Sequence, residues 1–300
     1  ATLLTSTLPT SHKVMSKASS LSKEAVLLPE VMQRAGYATG GIAANINLAP
    51  SFGFDQGYDE YHYLAPDFLA GAEDSSSKLI LYQIGRALWF KLQRGLYFGD
   101  FYQDSEVVNR VAFDFLERHR SSRFFLFLHY MDPHDPYFAH PYDGHGIARV
   151  ANQNPSPEFA AEMHRLYRGE IEYLDGNFAK LLEKIRQLGL WDSTLIVLVA
   201  DHGEEFQDHG GFWHGLTLYD EQIHVPLLVK WAGSGPRPQS DPRSHQVALL
   251  DVAPTILARA GAEAPPSMQG VDLALSAEER PARSRVAFSE EDHENNVLRS

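Results

Sequence analysis

Two short stretches hold residue types that could do chemistry. Asp201-His202-Gly203-Glu204-Glu205 and Asp208-His209-Gly210-Gly211-Phe212-Trp213-His214-Gly215 place four carboxylates and three histidines close together. Asp132-Pro133-His134-Asp135-Pro136-Tyr137 is a second polar cluster. Carboxylate oxygen and imidazole nitrogen are the usual donors to a divalent cation, and imidazole also moves protons near neutral pH. Asp201 and His202 are adjacent, and at a turn both side chains can reach one ion. The glycines let the backbone bend tightly there. By itself Asp-His-Gly also reads as a plain turn with a capping Asp. Two such clusters, each following a strand, favour a site. His209 reads equally as a direct contact or as support. His12 and His129 are assigned to structure or solvent. Glu204 and Glu205 read as caps of a following helix, where negative charge is favoured.

Those clusters need strands to carry them. Arg123 to Met131, Thr194 to Ala200 and Val225 to Lys230 are continuous apolar runs that predict fully buried strands, and Tyr37 to Ala44 is a small-residue strand. Helices are predicted between them. One runs from Pro29 to Ala35, with Gly36 after its end. Another follows an Asp104 cap, with Val107, Val108, Val111, Phe115 and Leu116 as its apolar face. A long helix opens at Ser156-Pro157-Glu158, has a seam of Tyr167, Ile171, Leu174, Phe178, Leu181, Ile185 and Leu188, and stops at Gly189. A last helix runs from Asp251 to Ala260. Buried strands alternating with helices predict an α/β fold, a mostly parallel central sheet with helices on both faces. In such sheets ligands sit beyond the carboxyl ends of the strands, where both clusters fall.

Composition sets limits. The 300 residues are 44% hydrophobic and 22% charged, enough for a large core. The net charge is −13, which argues against a nucleic-acid partner. There is no cysteine, so no disulfide, thiolate site or cysteine nucleophile lies in these residues. Residues 79–102 are basic and aromatic. Such a stretch can lie on a membrane surface, but packing over the sheet or lining the substrate cleft is the preferred reading. Gly233 to Pro242 reads as a surface loop.

The ordered motifs resemble those of the sulfatase family, sulfatase-like hydrolases of the alkaline phosphatase superfamily. The resemblance is carried by Ala1-Thr2-Leu3-Leu4-Thr5-Ser6 with Leu8-Pro9 and His12, by Leu28 to Thr39, and by Phe52 to Tyr58. It continues through Leu166-Tyr167 with Glu170-Ile171 and Asp175, Thr194 to Gly215, Leu218 to Glu221, Val225 to Leu228, Asp251 to Thr255 and Met268-Gln269-Gly270. It implies an alkaline phosphatase-like fold and metal-dependent hydrolysis of small-molecule or carbohydrate sulfate esters. Asp201 and His202 would be metal ligands, with calcium the expected cation and Mn²⁺ or Zn²⁺ also compatible. His134 would contact the sulfate and its ester oxygen. His214 falls where many relatives have a lysine, and would hold the sulfate and leaving oxygen. His209 joins them as a substrate-side residue.

The resemblance also implies a fragment. The family's nucleophile, a formylglycine in sulfatases, and two further Asp ligands would precede Ala1. Residues 1–282 would form the α/β domain, and 283–300 would begin a truncated C-terminal subdomain. A periplasmic or secreted location suits the family, but the sequence does not fix it. Ala43-Ala44-Asn45-Ile46-Asn47 departs from the Gly-Lys-Trp-His of formylglycine enzymes. The alternatives are a phosphodiester or phosphonate ester hydrolase, a phosphoryl-group transferase, or a non-catalytic relative that keeps the fold. With half a metal site, the chain alone is expected to bind divalent cations weakly and turn nothing over. Titration calorimetry of this chain with Ca²⁺ should show no site of micromolar affinity or better, and such a site would contradict the fragment reading.

Overall fold

The computed structural model describes residues 1–16, 19–67, 84–85, 88–89, 97–150, 152–233, 246–275 and 287–290. Most of 79–102, 234–242 and 283–300 lies outside these residues, so the readings made for those segments do too. Among the described residues no helix is long and apolar enough to cross a membrane.

The central sheet is built on β1 (Ala38–Ala43). On one side it pairs in parallel with β2 (Glu60–Tyr63), and on the other with β3 (Phe124–His129). A second ladder joins β6 (Ile196–Val199) to β9 (Leu227–Lys230), antiparallel. Two small hairpins lie at the site end: β4 (Tyr137–Phe138) with β5 (Gly146–Ile147), and β7 (Glu205–Phe206) with β8 (Phe212–Trp213).

Helices cover both faces, as expected of buried strands. On one face lie α2 (Ser105–His119) and α3 (Ala160–Gln187). Phe124, Leu126 and Leu128 of β3 and Ile196 of β6 pack there with Val108, Ala112, Leu116, Leu181 and Ile185. On the other face, α1 (Leu28–Arg34) and α4 (Val252–Ala260) meet Phe125 through Leu28, Val31, Met32, Ala253 and Leu257. The alternation of β3 residues between these layers is the period-two rule of a strand. The caps are those expected. Asp104 accepts from the Val107 N–H at 3.1 Å, and Gly189 and Gly261 end their helices with φ of 72° and 70°.

Two expectations need correction. Strands β3, β6 and β9 are part-exposed rather than fully buried. Among the described residues each carries a ladder on one edge only, so none is flanked on both sides. The seam of α3 is also rotated. Its buried residues are Met163, Leu166, Glu170, Asn177, Leu181 and Ile185, while Ile171 is 42% exposed. Two polar residues mark the inward face because each has a specific partner. The Phe138 N–H donates to Glu170 Oε1 at 2.6 Å, and Asn177 Nδ2 donates to Ser105 Oγ at 2.9 Å. An apolar periodicity cannot see such positions.

Helix α2 lies close to the sheet because Gly40 has no side chain. A Cβ there would stand 2.5 Å from Phe115 Cε2. Gly40→Ala is therefore expected to destabilise the protein by about 1–3 kcal/mol through overpacking. A lowered urea midpoint at an unchanged m-value would show it.

Candidate active site

Beyond β6 the chain turns at Asp201 and His202. This turn is locked against residues 221–222: the Gly203 N–H donates to Gln222 O at 2.8 Å and the Glu204 N–H to Glu221 O at 2.9 Å. A Cβ on Gly203 would lie 2.0 Å from Glu221 O, so glycine is required. His202 Nδ1 donates to Gly203 O at 2.9 Å, and Nε2 lies 3.8 Å from Asp201 Oδ1. The Asp201 carboxylate is 74% exposed, so it sits where solvent can reach it.

His134 enters from the loop after β3. Its backbone N–H donates to Met131 O at 2.6 Å, and its Nδ1 to Asp135 O at 2.7 Å. His214 follows β8, with Nδ1 3.1 and 3.2 Å from the two carboxylate oxygens of Glu204. The ring of His214 stands 4.1 Å from that of His202 and 5.0 Å from that of His134. The His134 and His202 rings are 6.3 Å apart. In all three rings Nδ1 is engaged, and among the described residues Nε2 makes no hydrogen bond. Residues more than sixty positions apart in sequence thus offer three free imidazole nitrogens beside one carboxylate.

Charge is tuned accordingly. Although the Asp201 carboxylate faces solvent, the protein packed around it displaces part of its water and works to raise its pKa, but His202, His129 and His134 outweigh this and the net direction is down. Burial and then His214 and His202 lower the pKa of His134, against the opposing pull of Asp135. His129, read from sequence as structural, ends β3 near Asp201, and its Nδ1 is buried without a hydrogen-bond partner among the described residues.

His209 is not brought into this group. Its ring stacks on Tyr219 at 3.7 Å, and its Nδ1 lies 2.6 Å from Glu221 Oε1, which raises its pKa. Glu204 and Glu205 do not cap a helix, because a hairpin follows them. Glu205 accepts from the Gly211 N–H at 2.7 Å and the His209 N–H at 3.2 Å, closing that hairpin. Glu204 instead turns to His214.

Other supporting residues were given no role by the sequence. Tyr137 donates its hydroxyl to Glu204 Oε2 at 2.5 Å. Arg149 joins the two loops: its N–H donates to Asp135 Oδ2 at 3.2 Å and its Nη1 to His214 O at 3.3 Å. Trp213 is buried with a left-handed backbone (φ 75°), a conformation a bulky residue rarely adopts. Its ring stacks on Tyr137 at 5.8 Å, and its Nε1 donates to Gln153 O at 3.2 Å.

A largely parallel sheet between helical layers, with polar donors gathered beyond the strand ends, places the chain in the α/β class. The chain belongs to the sulfatase family, whose profile matches residues 1–262. It is 32% identical over 169 residues to the steryl-sulfatase of Rattus norvegicus, a match covering 51% of this chain and 26% of that protein. The chain thus spans about a quarter of that curated relative's length. Solved structures that share the fold include these two. One is a protein in complex with its substrate D-glucosamine-2-N,6-O-disulfate, with TM-score 0.63, 17% identity, and 91% of this chain and 68% of that chain covered. The other is the phosphonate monoester hydrolase of Silicibacter pomeroyi, with TM-score 0.63, 19% identity, and 94% and 67% covered.

Asp132 lies two residues before His134 and is buried, with Oδ2 unpartnered among the described residues. Burial, then the nearby Glu170, push its pKa up to about 7. From its unfolded pKa near 4 up to about 7, the folded state keeps a proton that the unfolded state releases. This group's contribution to stability therefore falls as pH rises through that window. Urea midpoints at pH 5 and pH 7.5 should differ less in Asp132→Asn than in the parent. An unchanged difference would show that Asp132 is not the group responsible.

Proposed function

We propose that the protein hydrolyses sulfate esters of small molecules or carbohydrates. Asp201 and His202 would hold a divalent cation, calcium first, and His134 and His214 would hold the ester. The observation that carries this reading is the gathering of three imidazoles, each with Nδ1 spent and Nε2 free, beside Asp201.

The donors suit such a cation. An exposed carboxylate and an unengaged Nε2 lie 3.8 Å apart, and the second ring nitrogen of His202 is oriented by a backbone carbonyl. Among the described residues no group of three or more His, Cys, Asp or Glu side chains is placed to hold a metal ion; Asp201 and His202 would supply only part of a coordination sphere. A bound cation would neutralise charge on the ester oxygens.

The other steps belong to the chain's own groups. The ester's negative charge favours the protonated form of a nearby imidazole. His134 and His214 then donate from Nε2 to peripheral or leaving oxygens; as an oxygen nucleophile, water in the net hydrolysis, bonds to sulfur and the S–O bond to the leaving group breaks, the histidine at the leaving oxygen can pass it a proton. The acidic chain is no obstacle, because the local field of the cation and histidines governs the site.

The test is turnover by the complete gene product on an aryl sulfate and on glucosamine 6-sulfate. His134→Ala and His214→Ala are each expected to lower kcat/KM by about 10²–10³. His202→Ala and chelation of divalent cations should remove most activity. Unchanged turnover in His202→Ala, or a preference for phosphonate over sulfate esters, would overturn the reading.

A further inference from the structure

We propose that Glu204, held by Tyr137, is the positioning residue of this site: it fixes His214 as the Nδ1–H tautomer and leaves Nε2 as the one ring atom through which His214 meets the ester. The consequence for catalysis rests on the proposed sulfate-ester reaction, whereas the tautomer itself does not.

The geometry leaves little freedom. An ionised carboxylate only accepts hydrogen bonds. Both Glu204 oxygens lie within reach of His214 Nδ1, at 3.1 and 3.2 Å, so Nδ1 must carry the proton. Oε2 also takes the Tyr137 hydroxyl hydrogen, and that hydroxyl has no other hydrogen-bond partner among the described residues. The Glu204 side chain is only 4% exposed and Tyr137 is fully buried, so bulk water cannot reorient the carboxylate.

The backbone of His214 is held as firmly as its ring. Arg149 binds its carbonyl, and Trp213, the residue before it, is pinned by the stack on Tyr137 and the bond to Gln153. Tyr137 thus supports His214 twice, through Glu204 and through Trp213. His134 and His202 reach the same tautomer differently, each with Nδ1 donating to a neighbouring backbone carbonyl. His214 alone depends on a side chain, and a substitution can remove a side chain.

With Nδ1–H fixed, every exchange with the ester passes through Nε2. A protonated ring donates from Nε2 and a neutral ring accepts there. Without Glu204 a neutral ring would also populate the Nε2–H form, with Nδ1 bare, and the protonated ring that donates to the ester would lose the carboxylate that supports it.

The tautomer is read by two-bond ¹H–¹⁵N correlation spectra of the chain labelled with ¹⁵N-histidine, at an alkaline pH where the rings are neutral. His214 is assigned by its loss in His214→Gln. The expected result is a protonated Nδ1 and a bare Nε2. In Glu204→Gln, and less so in Tyr137→Phe, the His214 signals should move toward the Nε2–H form while those of His134 and His202 stay. A parent spectrum with Nε2–H at His214 overturns the proposal without any variant. So does an unmoved His214 signal in a folded Glu204→Gln.

In the complete gene product Glu204→Gln should lower kcat about 10–100-fold with KM nearly unchanged. Unchanged kcat would overturn the positioning role. If the tautomer shifts as expected but the parent turns over no sulfate ester, the sulfatase reading fails and the tautomer assignment stands.

Discussion

A neutral imidazole has one donor and one acceptor, and the surroundings decide which nitrogen is which. The site depends on that constraint being resolved the same way three times. His134, His202 and His214 each give up Nδ1 to an oxygen, and each keeps Nε2 for whatever enters. Had one ring chosen the other tautomer, the three would not offer a common set of atoms. Backbone carbonyls solve the problem for two of them at no cost in extra residues. The third needs a buried carboxylate, which needs a buried tyrosine, which rests on a tryptophan. A layer of the interior is thus devoted to orienting one ring.

The packing beneath makes such precision affordable. Strands β3 and β6 both pack against the same helical layer of α2 and α3. That layer contains polar bonds as well as apolar contacts. Tyr130 donates to Asn109 Oδ1 at 2.7 Å, Asn109 Nδ2 to Asn177 O at 2.8 Å, and Asn177 Nδ2 to Ser105 Oγ at 2.9 Å. Directional bonds of this kind fix how α3 is turned relative to the sheet, which dispersion alone leaves looser. Glu170, on the same helix face, holds the Phe138 N–H and so fixes β4, the strand that delivers Tyr137. Helix rotation and imidazole tautomer are therefore linked through one short strand.

Much of this architecture was legible in the sequence. Strands β1, β3 and β6 announce themselves as apolar or small-residue runs, and α2 and the ends of α3 and α4 by Asp104, Gly189 and Gly261. Asp201, His202, His134 and His214 were visible because unusual polar residues follow strands. What stayed hidden was the support. Glu204 follows His202 so closely that it reads as a cap, and strands of two residues have no periodicity to reveal the hairpin that turns it inward. Tyr137 looks like any buried aromatic, and Arg149 lies in no motif. Glu170 and Asn177 break the apolar pattern of α3 at positions that are in fact its inward face. In each case the role comes from a partner distant in sequence, which local pattern cannot report.

Trp213 carries an implication for how this site can change over time. At φ 75° its backbone favours glycine, while its ring is what Tyr137 leans on. Any other bulky residue would inherit the strain without the fit, and glycine would relieve the strain but empty the space beside Tyr137. No single replacement satisfies both demands. Position 213 is thus a bottleneck for drift: sequences descending from this one must cross a less stable intermediate to exchange the tryptophan.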